Sequence, residues 1–249
     1  MNLVMYMKVL MPFIVKRADA IVVDSYFVKK ELEKVYKVES KKIEVIYPGS
    51  DDFFYPNKNE TAFLELIKKY HIQKKFIFTT ATNHERKNIF GLVDAFKEIK
   101  QFNDYQLVIC GLLPDFTITK LEKYLQKMNL TEKVKFLGFV SKNELRVLYS
   151  FAKLFVFPSF EEGFGLPVLE SVLCGCLPIC SDAGALPEVI GNKKLLFNPR
   201  NTPSITEKIN EVLSWPEEKH LEHLEKAKKH VSRFNWQKAA DQYLELFKC

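Results

Sequence analysis

Long apolar runs are missing from this chain of 249 residues: none reaches the roughly 18 uncharged apolar residues that a bilayer-crossing helix needs. Cysteine is scarce, at Cys110, Cys174, Cys176, Cys180 and Cys249, far too thin for a disulfide scaffold. The first four sit in apolar runs (LVIC, LCGCLPIC), where small buried side chains belong. Cys174-Gly-Cys176 lacks a second pair of metal ligands, so the thiols are read as reduced and no metal site is expected. RNP, zinc-finger and Arg-rich segments are absent, and the net charge of +6 is a mild, dispersed excess, which excludes a nucleic-acid binder. Internal repeats and low-complexity tracts are lacking as well.

What remains is a globular composition, 47% hydrophobic and 27% charged, on a chain long enough to bury a self-supporting core. The apolar stretch MNLVMYMKVLMPFIV precedes Lys16-Arg17-Ala18-Asp19-Ala20, yet Lys8 interrupts it and the positive charges come after it. That order is wrong for a signal peptide and reads as an amphipathic helix leading into a strand.

Short apolar runs alternate with amphipathic stretches, the mark of a parallel sheet wrapped by helices. Strands are expected at Ala20-Ile-Val-Val, Ile43-Glu-Val-Ile, Phe76-Ile-Phe-Thr-Thr, Gln106-Leu-Val-Ile-Cys, Val134-Lys-Phe-Leu, Lys153-Leu-Phe-Val-Phe, Leu177-Pro-Ile-Cys and Lys194-Leu-Leu-Phe. Helices are expected over 26–37, 60–70, 88–102, 117–129, 141–151, 166–174, 203–213, 216–231 and 235–248. Residues 70–200 then form one doubly wound α/β sheet of five or six parallel strands, whose ligands bind beyond the strands' carboxyl ends.

The most informative turn is Phe157-Pro-Ser-Phe-Glu-Glu-Gly-Phe-Gly-Leu-Pro-Val-Leu-Glu170. A strand ends at Phe157 and a helix opens near Leu166, with Pro167 in its first turn. Gly163 and Gly165 let backbone N–H groups approach a ligand, and the helix N-terminus suits a phosphate. Glu162 and Glu170 flank that turn and are suited to accepting hydrogen bonds from sugar hydroxyls. The plainer alternative makes Glu170 a first-turn acid favoured by the helix dipole and Glu162 a solvated loop charge. A second turn, Thr79-Thr-Ala-Thr-Asn-His-Glu-Arg-Lys-Asn88, sets Arg86 and Lys87 at the same sheet edge, where a guanidinium and an ammonium suit a diphosphate. Alone, that pair also reads as two solvated charges. His84 is read as a loop residue, and His220, His223 and His230 as lying on a charged helix without metal geometry. Ser141 and Glu144 form a capping box.

The Glu–seven residues–Glu segment resembles the signature of retaining glycosyltransferase family 4, a family of two-domain GT-B fold. Ala18-Asp-Ala-Ile-Val-Val-Asp-Ser25 resembles its strand before the interdomain connector, Lys42-Ile-Glu-Val-Ile-Tyr-Pro-Gly-Ser-Asp51 the connector, and Val134-Lys-Phe-Leu-Gly-Phe-Val140 the strand and turn beside the nucleotide base. Phe234-Asn-Trp236 and the helix after them resemble the C-terminal helix that crosses back to the first domain. Ala81 stands where the family usually has Gly, and Thr82 where some members carry an Arg, which leaves more of the phosphate charge to Arg86 and Lys87.

The resemblance implies a domain remnant and connector over 1–50, a Rossmann-like nucleotide-sugar domain over 51–230 and a crossing helix over 231–249. Most of the N-terminal acceptor domain is then absent, and Val22, Phe27 and the Met-rich helix 1–15 are expected to expose apolar surface. The implied activity is hexosyl transfer with retention, from a UDP- or GDP-sugar to a saccharide or lipid-linked acceptor, in surface polysaccharide or glycoconjugate synthesis. Arg86, Lys87 and Glu162 are implied at the reacting centre. Gly163, Phe164, Gly165, Leu166, Glu170, Gly111 and Val140 are implied around the nucleotide sugar. Neither a cofactor nor a metal is implied, because cations and backbone dipoles would meet the leaving charge. The implied location is cytoplasmic, with room for peripheral contact at the inner membrane face. The alternative is a truncated, non-catalytic donor-binding subunit or remnant that needs a partner chain supplying the acceptor domain; a GT-B-like sugar-nucleotide epimerase would not need the Gly-Phe-Gly-Leu-Pro arrangement.

Overall fold

A computed structural model describes residues 3–73, 75–82 and 85–248. The chain divides into two compact units, one formed by residues 1–49 and 234–249, the other by residues 50–233.

In the smaller unit, α1 (Leu3–Arg17) leads to β1 (Ile21–Val23), α2 (Tyr26–Tyr36) and β2 (Ile43–Val45), and α11 (Trp236–Leu246) joins from the chain's far end. β1 and β2 pair in parallel, Ile21 opposite Ile43, so the segment is one β–α–β crossover. The Ser25 hydroxyl caps α2 by accepting the Val28 N–H at 3.1 Å. Gly49 is required by close approach: a Cβ there would lie 2.3 Å from the Trp236 nitrogen. Val22 and Phe27, expected to be exposed, are half-buried. The first helix does expose Val9, Phe13 and Ile14, as expected, and Tyr26, Val35, Trp236, Tyr243, Leu244 and Phe247 of this unit are exposed as well.

The larger unit carries a six-stranded parallel sheet in the order β5-β4-β3-β6-β7-β8. Its strands are β3 (Phe76–Thr82), β4 (Gln106–Leu112), β5 (Val134–Phe136), β6 (Leu154–Phe157), β7 (Pro178–Ser181) and β8 (Leu196–Phe197). Around it run α3 (Glu60–Tyr70), α4 (Ile89–Lys97), α5 (Asp115–Lys127), α6 (Lys142–Phe151), α7 (Leu166–Leu173), α8 (Leu186–Ile190), α9 (Thr202–Leu213) and α10 (Glu217–Val231). The chain grows outward from β3 through β4 to β5, then returns to β6 beside β3 and grows the other way. With right-handed crossovers, α4 and α5 cover one face, and α6, α7 and α8 the other. The packing of α6 on α7 and of α7 on α8 agrees with that division.

The central strands read as continuous apolar runs because both faces are covered; Phe76, Ile77, Phe78, Leu154, Phe155, Val156 and Phe157 are fully buried. The helix expected over 88–102 stops at Lys97, where the chain turns and re-forms as a 3-10 turn at Phe102–Asp104. Helix α8, five residues long, was not expected; it is shorter than the window in which a helical period registers.

The strand order reverses between β3 and β6, which pair through Ile77–Leu154 and Phe78–Phe155. The turns leaving these two strands are the ones that carry Arg86-Lys87 and Glu162.

Candidate functional site

From β3 the chain passes through a 3-10 turn at Glu85–Lys87 into α4; from β6 it passes through residues 158–165 into α7. The Phe160 N–H donates to the Arg86 carbonyl at 2.7 Å and ties the two turns together. Lys87 Nζ donates to Glu162 Oε1 at 2.7 Å, and both side chains are more than nine-tenths buried, at 9% and 8% exposure. Arg86, half-exposed, reaches Glu162 Oε2 at 3.5 Å and donates to the Glu161 carbonyl at 3.3 Å. Lys87 also lies over the Phe157 ring, 4.7 Å from its centroid. The topology thus brings three residues of the two turns, Arg86, Lys87 and Glu162, into one cluster. A carboxylate shared by two cations is compensated, and the cluster keeps positive charge to spare for an anion.

Gly165 is the N-cap of α7 at φ 118°, where a side chain is strained, and it offers no capping group to the first-turn N–H groups. Pro167 occupies the first turn, and Val168 N–H is bound to the Gly165 carbonyl. Phe164 is buried at 5% exposure, so what it can offer a ligand is its backbone; Leu166 is exposed and Gly163 half-buried.

Glu170 lies one helical turn further on and is separated chemically from the cation cluster. The Tyr149 hydroxyl of α6 donates to Glu170 Oε2 at 3.1 Å. Burial raises the Glu170 carboxyl pKa, while the Tyr149 hydrogen bond and the charge of Lys142 act against it.

Gly111, at φ 138° near the end of β4, has a structural reason to be glycine, since a Cβ would lie 1.7 Å from the Ala81 carbonyl oxygen. Its N–H donates to the Gly138 carbonyl at 2.8 Å, and Val140, buried, comes two residues later in the same loop. Ser141 and Glu144 form the expected capping box at α6. Burial alone would raise the Glu144 carboxyl, but hydrogen bonds from Lys69, Ser141 and Tyr70 outweigh it and bring the pKa to about 2. Asp51 accepts the Phe53 N–H at 2.8 Å and pairs with Lys142.

Sequence reasoning missed Gly184, in the turn after β7. Its φ is 63°, and a Cβ there would lie 2.5 Å from the Glu162 carbonyl oxygen and 2.6 Å from the Glu162 nitrogen. The Ala185 N–H donates to that same carbonyl at 2.9 Å. A signal was present: Gly184-Ala-Leu-Pro187 repeats the Gly-then-Leu-Pro helix opening of Gly165-Leu-Pro167. The histidines of α10 are structural. His223 stacks on Trp215 with ring centroids 4.5 Å apart and is 2.9 Å from the Asn192 amide nitrogen, and His230 is 2.9 Å from the Glu188 carbonyl. Among the described residues, no three His, Cys, Asp or Glu side chains are grouped to hold a metal. His84 and Cys249 lie outside the described residues. Cys110, Cys174, Cys176 and Cys180 are buried free thiols, and burial pushes Cys110 and Cys174 up to about 12.

A cavity of about 720 Å³ opens beyond β3 and β4, with walls that include Asn88, Phe90, Phe116, Lys120 and Phe160. It adjoins the Arg86 turn, but neither Glu162 nor Glu170 lines it. Among the described residues, no helix is long and apolar enough to cross a membrane.

The family model for glycosyl transferases group 1 matches residues 63–231. The chain is 30% identical to the serotype-specific mannosyltransferase WbdA of Escherichia coli over 248 residues, covering 97% of this chain and 30% of WbdA. It is 32% identical to the O-antigen chain mannosyltransferase RfbU of Salmonella typhimurium over 215 residues, covering 85% of this chain and 56% of RfbU. It therefore spans about a third to just over half the length of these relatives. A glycosyltransferase of Rickettsia africae superimposes with a TM-score of 0.83 at 24% identity, over 98% of this chain and 65% of that one. Anabaena HepE, solved with UDP and glucose, superimposes with a TM-score of 0.85 at 18% identity, over 98% of this chain and 67% of that one. Both share the fold.

Proposed function

The chain belongs to the glycosyl transferases group 1 family, and from that premise we propose that it takes part in moving a hexose from a nucleotide diphosphate sugar to a saccharide or lipid-linked acceptor, with retention of configuration in the manner of glycosyltransferase family 4. The observation that carries the reading is the cluster of Arg86, Lys87 and Glu162 at the point where the strand order reverses. In open α/β sheets that crevice is where phosphorylated ligands sit.

In the proposed reaction the bond between the sugar's anomeric carbon and the β-phosphate oxygen breaks, and the acceptor oxygen bonds to that carbon as its proton passes to the departing phosphate oxygen. The nucleoside diphosphate departs with the electron pair. Arg86, Lys87 and the uncapped N–H groups at the start of α7 stabilise the charge growing on the leaving phosphate. Glu162, between the two cations, accepts hydrogen bonds from the sugar, and Glu170 accepts one from the nucleotide ribose. Gly163 and Gly165 permit close backbone approach, while Gly111 and Val140 border the base.

WbdA and RfbU are mannosyltransferases, which makes mannose the first sugar to test and surface polysaccharide assembly the proposed setting. The basic balance of the chain suits peripheral contact with an anionic membrane face. The test is calorimetric titration with UDP, GDP and their hexose conjugates, followed by a transfer assay. Binding that is lost in Lys87→Glu supports the reading; equal binding by Lys87→Glu and wild type for every donor overturns it. Binding without transfer, with transfer restored by an added acceptor-domain chain, would identify a donor-binding module.

A further inference from the structure

Glu170 is held from one side only. Its Oε2 accepts a 3.1 Å hydrogen bond from the Tyr149 hydroxyl, the one donor to this carboxylate among the described residues. Oε1 therefore keeps its lone pairs for another donor. Tyr149 is itself fully buried, and its ring is fixed by edge-to-face contacts with Phe54, Phe78 and Phe155 at centroid distances of 6.2, 5.2 and 5.2 Å. Such a cage leaves the phenol little rotational freedom, so its hydroxyl is a fixed point. A carboxylate on a helix side chain otherwise has three rotatable bonds and a choice of two oxygens.

We propose that Tyr149 is a positioning residue, which anchors Glu170 by one oxygen and presents the other to a single hydroxyl of the nucleotide ribose. The proposal rests on the reading of Glu170 given above. It adds that the Tyr149 bond favours the charged form of the carboxylate, against the burial that raises its pKa. The titratable and charged groups around Glu170 are Tyr149 and Lys142 from α6, Cys110 from β4, Cys174 beyond α7, and Asp51 before α3; Arg146 acts on Cys174. Of these, Tyr149 alone donates a hydrogen bond to the carboxylate.

The experiment is calorimetric titration of the full chain with UDP and GDP from pH 5.5 to 9, on wild type, Tyr149→Phe, Glu170→Gln and the double variant. Phe fills the same space, so a packing role alone would leave the pH profile unmoved. The expected result is about a tenfold loss of affinity in Tyr149→Phe near pH 6, with its acid limb moved to higher pH, and no further loss when it is added to Glu170→Gln. Should Tyr149→Phe fail to fold, 3-fluorotyrosine at position 149, a stronger donor of nearly the same size, is expected to move the acid limb to lower pH. Unchanged affinity and profile in Tyr149→Phe alongside a weakened Glu170→Gln overturns the positioning role and leaves the ribose reading standing. A uniform loss at every pH that adds to that of Glu170→Gln overturns it as well. Wild-type affinity in Glu170→Gln overturns the ribose reading, and the proposal with it.

Discussion

Lys87 and Glu162, 75 positions apart in sequence, meet at 2.7 Å with both side chains more than nine-tenths buried. A buried ammonium needs an anion, so the carboxylate that neutralises Lys87 also competes with any phosphate for it. In Glu162→Gln, unfolding should be easier by about 3 kcal/mol, because Lys87 is left without its counter-charge. Diphosphate should bind more tightly for the same reason, while sugar transfer falls. Thermal unfolding with and without UDP or GDP checks this: the variant should melt lower alone and gain more from nucleotide than wild type. A smaller gain than wild type would contradict the competition.

Gly184 backs Glu162 from the neighbouring turn. Gly184→Ala places a methyl group against the Glu162 backbone at a positive φ, which should lower stability by about 1–3 kcal/mol. It should also displace the carboxylate, and transfer should fall by roughly 100-fold, as a shift of about 1 Å at a reacting centre does. Denaturant unfolding and initial rates on one preparation measure both. A loss of stability with full activity would show that Glu162 tolerates the shift.

Glu144 should govern acid stability. Its pKa of about 2 in the folded chain lies below the ordinary 4.5, so the stability it contributes is present above pH 4.5 and lost as pH falls toward 2. Gln at this position keeps the capping box but loses the ion pair with Lys69. Glu144→Gln is expected to be less stable than wild type by about 1–2 kcal/mol at pH 7, with the gap closing below pH 4.5. Urea titrations at pH 7, 4.5 and 3 test it, and a constant gap would refute the assignment.

Histidine should add a second, milder slope. Burial lowers the pKa of both His220 and His223. The unfolded chain then takes up protons first, and stability present above pH 6.5 declines as pH falls below it. His220→Gln and His223→Gln, which do not titrate there, should each make the decline between pH 7.5 and 5.5 shallower. A fall as steep as in wild type would place its origin elsewhere.

The strands and the site turns were legible in the sequence because their signals are local. Each buried parallel strand is an unbroken apolar run, and each site turn joins such a run to a helix with its own opening residues. Relations across the sheet were not legible. Apart from the family resemblance, which singles out Glu162, nothing in Arg86-Lys87 or in Glu161-Glu162 says that the second acid, and not the first, faces the buried lysine. That choice comes from the β3–β6 pairing and from the Phe160 N–H reaching the Arg86 carbonyl. The α10 histidines do lie on a charged helix, but the burial of two of them was not legible. His220, His223, Leu224, Ala227 and Val231 form the buried stripe of that helix, so the histidines take core positions that a hydropathy pattern scores as polar. Tyr149 went unnoticed because it acts on another motif's residue and carries no signature of its own, whereas Gly184 was overlooked although Gly184-Ala-Leu-Pro187 echoes Gly165-Leu-Pro167.

The bond from the Phe160 N–H to the Arg86 carbonyl fixes the two turns in register. Adding or deleting one residue between Thr82 and Arg86, or between Phe157 and Phe160, would shift one partner along the chain and separate the cations from the carboxylate. Loop length is thereby constrained along with the side chains of the cluster. Insertions in a chain of this architecture must therefore settle on turns that lie outside this clasp.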